Sequence, residues 1–264
     1  MRAFVEGVGL VGPGLDGWLV SKPVLAGQAQ YREAPTKLGE CELLPAAERR
    51  RAGVPVKLAL AAGQEAFSST GRTAAATASV FASSSGDCDN VHHILESLAT
   101  AGREVSPMRF HNSVHNAAAG YWSIATGCRE ASTSISGHDA SFAAGLLEAV
   151  AQAAAGSAVV LIGYDHPYPE PLNRARPVRT TFGAALVLAP GPTPAARAVL
   201  DLELVPGSGV VTFMPDPLME VVRCGVPAAR SLPLLAALAR SSKETIVLDY
   251  LEGTHLRVAV SPCG

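Results

Sequence analysis

The side chains that could do chemistry in this chain are few, and their spacing limits what each can do. His111 and His115 stand four apart, which on a helix would place two imidazoles on one face, the beginning of a metal site. No carboxylate or third ligand follows at a metal-site spacing, so no metal centre is expected. Ser136, His138 and Asp139 supply the residue types of a hydrolase triad. Residues this close on a strand-turn-helix cannot point at one another in relay, and there is no GxSxG elbow. The five cysteines, Cys41, Cys88, Cys128, Cys224 and Cys263, are odd in number and contain no CxxC pair, so they read as reduced thiols. His92 and His93 fall at half-exposed positions of an amphipathic segment, and Trp18 and Trp122 read as packing residues. No cofactor is called for.

The elements that would carry these residues can be read from the apolar pattern. Residues 3–10 form a buried first strand ending at a Gly-Pro-Gly turn. Val56, Leu60, Gly63 and Phe67 recur at helical spacing. A second strand within residues 76–85, a helix over 91–102 and a small-residue stretch at Ala117–Gly120 follow. Residues 132–136 alternate like a strand and lead through Gly137 into a helix over 141–155, closed by Gly156. A buried strand at 158–163 completes a strand-turn-helix-strand unit. Residues 166–177 are Pro-rich and read as loop. Strands at 185–189 and 199–205, a short helix from Pro233, and a closing hairpin that turns near Glu252-Gly253 finish a mixed α/β chain, read as one domain over 1–264.

Composition excludes several classes of function. A chain of 264 residues with 48% hydrophobic side chains can fill a large core. A net charge of −2 with 17% charged residues leaves no footprint for nucleic acid, and the run Arg49–Arg51 reads as a solvated face. No stretch approaches the roughly 18 apolar residues of a membrane span, and the early Gly, Pro and Asp do not suit a secretion signal. A soluble cytoplasmic protein is expected.

Six segments, VEGVGLVGPG, LALAAGQEAF, VFASSSG, SPMRFHNSVHNAAAGYWSIATG, ASTSISGHDASFAAGLLEA and VVLIGYDHPYP, resemble the N-terminal half of β-ketoacyl synthases, in family order over residues 3 to 169. A fainter likeness continues through TTFGAALVLAP and VLDLELVPG, and residues 170–264 are a shortened remainder. The resemblance implies a thiolase-like layered αβαβα sandwich, truncated in its C-terminal half. It also implies a nucleophilic cysteine at the sharp turn before the 141–155 helix, where the dipole and backbone N–H groups would stabilise a thiolate.

Counted from either side, that position is Asp139, with His138 beside it. A carboxylate is a far weaker nucleophile toward a thioester, so chain elongation by Asp139 is not expected and no catalytic residue is assigned. As a helix N-terminal residue, Asp139 would cap N–H groups, stabilising by about 1 kcal/mol, or plug the tunnel. The family's two C-terminal histidine motifs are also missing. The one histidine in the last 90 residues, His255, reads as a surface position.

The resemblance extends to the cysteine-less chain-length factors that pair with a ketosynthase, in particular the short aryl-polyene type. It implies a heterodimer with a β-ketoacyl-ACP synthase, acting on a chain held by acyl carrier protein. The strand Ser132, Thr133, Ser134, Ile135 and Ser136 would form the dimer interface, and Met108, Phe110 and Ser113 would reach the partner's acyl pocket and set chain length. Two other readings stay open: a solo enzyme that decarboxylates malonyl-ACP or transfers acyl groups, and an acyl-ACP binding scaffold.

Overall fold

The computed structural model describes residues 1–207 and 209–263. The chain runs β1 (Arg2–Gly12), β2 (Leu15–Asp16), α1 (Trp18–Leu25), α2 (Ala46–Arg51), α3 (Val54–Phe67), β3 (Ala78–Ala82), α4 (Cys88–Ala99), α5 (Pro107–Asn112) and α6 (Ala117–Thr126). It continues with β4 (Ser132–Ile135), α7 (Ser141–Ala154), β5 (Val159–Asp165), α8 (Leu172–Ala175), β6 (Phe182–Ala189) and β7 (Ala198–Pro206). Last come α9 (Pro217–Gly225), α10 (Leu232–Arg240), β8 (Glu244–Leu251) and β9 (Thr254–Pro262).

A single nine-stranded sheet has the order β4-β3-β5-β6-β1-β7-β9-β8, with β2 paired to β1. β1 lies between β6 and β7 and is buried over most of its length, which its unbroken apolar run requires. Its glycines let α3 lie directly on the strand: a Cβ on Gly9 would stand 1.9 Å from the carbonyl oxygen of Ala62. The half-buried Glu65 of α3 ties the two together by accepting the backbone N–H groups of Leu10 at 2.7 Å and Trp18 at 2.5 Å. β4 and β5 run parallel to β3 on either side of it, so the crossover helix α7 packs over β3 and β5.

Helix α3 covers one face of this half of the sheet, and α7 covers the other. The strand row then coils back: β8 returns to α7, and α10 lies against β8 and β9. Residues alternate accordingly. Leu200, Leu202, Ile246, Leu248, Leu256 and Val258 point inward to α7 and α10, while Glu203, Thr245 and Arg257 face solvent. The layers are therefore α, β, α and β, and among the described residues no helix covers the outer face of β7-β9-β8. The shortening of the C-terminal half falls on that last layer.

Two corrections to the local expectations follow. The Pro-rich stretch 166–177 is not all loop, because Leu172–Ala175 turns once as α8. His111 and His115 do not share a helix face: α5 ends at Asn112, and His115 lies in the following turn with Nε2 3.1 Å from the Ser83 carbonyl oxygen. No helix of the described residues is long and apolar enough to cross a membrane.

Candidate functional site

The C-terminal ends of the parallel strands β4, β3 and β5 meet at one side of the sheet, the place where open α/β sheets gather polar loops. After β3 come Ser83 and Ser84, β5 ends in Asp165 and is followed by Tyr168, and after β4 comes the turn from Ser136 to Asp139. Asp165 is fully buried. Its Oδ1 accepts the Ser84 N–H at 2.8 Å and the Ser84 hydroxyl at 2.7 Å, and its Oδ2 accepts the Ala228 N–H at 2.8 Å. Burial pushes its carboxyl up to about 6, against the pull of these donors.

From Asp165 a polar chain runs outward to the turn before α7. The Ser84 and Tyr168 hydroxyls are 3.0 Å apart, and Arg176 Nε donates to the Tyr168 oxygen at 3.2 Å. Arg176 Nη2 then donates to Asp139 Oδ1 at 3.0 Å, and Arg230 Nη2 donates to Asp139 Oδ2 at 3.1 Å. Arg230 Nη1 continues to Asp249 at 2.7 Å. Each oxygen of the Asp139 carboxylate thus takes one guanidinium, from residues 37 and 91 positions away in the chain.

Asp139 does not cap α7. No side chain caps α7; Ser141 instead ties the preceding turn, its Oγ accepting the Gly137 N–H at 3.0 Å and donating to the His138 carbonyl at 2.6 Å. The Asp139 carboxylate is left to the arginines. His138 has a φ of 55°, a conformation that a non-glycine residue adopts at a cost, and its ring lies outward against Arg176 Nη1. Ser136 turns the other way and donates to the Ser84 carbonyl at 3.2 Å, so Ser136, His138 and Asp139 form no relay. His255 departs from its expected surface position: its side chain is 14% exposed, its Nδ1 is buried without a partner, and its Nε2 stands 3.9 Å from Asp249.

The arrangement is poor for covalent catalysis. A carboxylate gripped by two guanidinium groups has its lone pairs engaged and its negative charge compensated, which lowers its nucleophilicity.

The other singled-out residues lie along β4, α5 and the turn that follows α5. β4 is the edge of the sheet and pairs only with β3. Beside it, α5, α6 and the turn between them expose Phe110 (68%), Val114 (49%) and Ile124 (51%) around a cleft of about 630 Å³ that also touches Asn116 and Gly120. Asn116 and Gly120 also face Ser132 and Ser134 of β4 in an adjoining hollow, so the apolar cleft and the strand edge are continuous. Met108 lines a second cleft of about 500 Å³ with Arg50, Arg51 and Arg109. Ser113 lines neither cleft and donates to the Phe110 carbonyl at 2.8 Å.

Sequence reasoning missed Arg176, Arg230, Tyr168 and Asp249. No local period marks them, since they converge only through the crossing of β5, β8 and the loops between.

Comparisons with known proteins bear on the fold. A search of curated proteins returned no match. Among solved structures, the chain is similar to one from the complex of the ketosynthase ApeO with its chain length factor ApeC from Xenorhabdus doucetiae. The identity there is 21%, the TM-score is 0.74, and 98% of this chain and 99% of that one are covered. It is also similar to a chain of the ishigamide ketosynthase/chain length factor, at 14% identity and a TM-score of 0.75, covering 100% and 99%. A third likeness is to AntDE:AntF, a type II PKS acyl-carrier protein in complex with its ketosynthase, at 13% identity and a TM-score of 0.73, covering 99% of each chain. The family described as "Beta-ketoacyl synthase, N-terminal domain" matches residues 22–208, more than half of the chain and all the strands from β3 to β7. With the layered sheet, the crossover helix and the turn that precedes it all accounted for, the chain belongs to the β-ketoacyl synthase family.

Proposed function

We propose that the chain is a non-catalytic, chain-length-factor-like partner of a β-ketoacyl-ACP synthase, acting in the cytoplasm on an acyl chain carried by acyl carrier protein. The observation that carries this reading is the open edge of β4 beside Phe110, Val114 and Ile124. A bare strand edge invites pairing, and a row of large apolar side chains next to it is the kind of patch that soluble monomers rarely leave uncovered. Antiparallel pairing of Ser132–Ser136 with the partner's strand would cover both, and would place Phe110 and Met108 toward the partner's acyl pocket, where their bulk limits chain length. Asp139 stands at the position that the resemblance gives to the nucleophile, and its engagement by Arg176 and Arg230 fits a subunit that leaves the chemistry to its partner. The arginines beside Met108 suit the anionic arm of a carrier protein. Two of the matched complexes pair a ketosynthase with a chain length factor, which supports the assembly, and the FHNSVHNAAAGYWSIA segment favours the aryl-polyene type of pathway.

The test is co-expression with the ketosynthase encoded nearest to this chain. A one-to-one complex on size-exclusion chromatography with light scattering is the expected result. A chain that elutes alone, with no change when the ketosynthase is added, overturns the reading.

A further inference from the structure

We propose that Arg176 and Arg230 form a carboxylate-binding site whose built-in occupant is Asp139, and that the site takes a small free carboxylate once that side chain is removed. The two guanidinium groups reach the turn from separate loops and are held there independently of Asp139, Arg176 by the Tyr168 hydroxyl at 3.2 Å and Arg230 by Asp249 at 2.7 Å. Removing the Asp139 carboxylate therefore leaves the cradle standing.

It also leaves one positive charge without a partner, because Asp249 compensates only one of the two arginines. Both arginines are mostly buried, with side chains 24% and 21% exposed, so an uncompensated charge there is costly.

A second observation points to a ligand. Arg230 Nε is buried and has no acceptor. On a guanidinium, Nε and one Nη share an edge that fits the two oxygens of a carboxylate. Asp139, tethered to the backbone, gives each arginine a single oxygen and leaves Nε unmet. A carboxylate free of that tether can close the unmet bond as well. The ligand class is thus a small mono- or dicarboxylate, acetate or malonate. In the native chain Asp139 shuts such ions out of the turn, and with them any carboxylate borne on a thioester. This conclusion stands whether or not a ketosynthase is the partner.

The experiment is chemical rescue of the full chain. The melting temperature of Asp139→Ala is expected to lie about 3 °C below that of the unsubstituted protein in chloride. Sodium acetate or malonate at the same ionic strength is expected to restore about half of the loss or more, saturating as mass action requires. The unsubstituted protein should shift by less than about 1 °C, its site being filled. The double variant Asp139→Ala with Arg230→Ala should lose the response. Should Asp139→Ala fail to fold, Asp139→Ser, which also removes the carboxylate and leaves the space between the arginines open, is to be measured in its place with the same expected direction. Equal behaviour in chloride and in carboxylate, a response that survives Arg230→Ala, or an equal response from the unsubstituted protein overturns the proposal.

Discussion

Asp165 and Asp139 are the two carboxylates of the strand-end cluster, and their settings differ. Asp139 reaches solvent and meets two cations, whereas Asp165 is fully buried among hydroxyl and backbone donors, with burial raising its carboxyl to about 6 from 3.8. Between those two values the folded protein holds a proton that the unfolded chain has released. The Asp165 contribution to stability is therefore fully present below about pH 4 and is lost as pH rises through about 6, an effect of about 3 kcal/mol. Urea midpoints measured from pH 4 to pH 7 should fall more steeply for the native chain than for Asp165→Asn, which cannot ionise. Parallel profiles for the two proteins would contradict this account of Asp165. At this scale the sequence was partly readable. Asp139 could be singled out because the turn before α7 is local, but its arginines lie 37 and 91 residues away and carry no local signal. His255 was misjudged for a related reason: alternation along β9 correctly sends Leu256 and Val258 inward, but it cannot show that Asp249 and its surroundings would cover the opposite face.

At the scale of elements, periodicity located β1, α3, β3, α7, β5, β6, β7, α10 and the closing hairpin, because each either buries one consistent face or is buried throughout, and it located α4 from its amphipathic pattern although none of its residues is fully buried. It passed over α9, although Asp216 caps that helix by accepting the Leu218 and Met219 N–H groups at 2.9 and 3.1 Å, just before Pro217. An Asp-Pro pair ahead of an apolar residue was the available signal. In the proposed assembly the working elements are β4, α5 and α6. Ile124 and Phe110 are exposed, so a charge at either position costs the isolated fold little and would be trapped against the partner in the complex. Ile124→Glu and Phe110→Glu should each keep the melting temperature of the isolated chain within about 2 °C while weakening the ketosynthase complex at least about tenfold. Complexes of unchanged affinity would place the interface elsewhere.

Over the whole molecule, the sheet coils so that β8 returns to the helix laid over β3, and this brings Arg230 and Asp249 to the turn that leads out of the β4 edge. The edge strand and the clamped carboxylate are thus ends of one structure: β4 lies at the edge of the sheet, and the turn that follows it is fixed by cations from the far half of the chain. In the proposed division of labour, this subunit contributes shape and the ketosynthase contributes the nucleophile. The direct measurement is an elongation assay with malonyl carrier protein, using the ketosynthase alone, this chain alone, both together, and both with Asp139→Asn, which keeps an acceptor for the arginines but loses the carboxylate. Elongation only when both subunits are present, retained within about threefold in Asp139→Asn, is the predicted result. Elongation by this chain alone, or its loss with Asp139→Asn in an intact complex, would contradict the account.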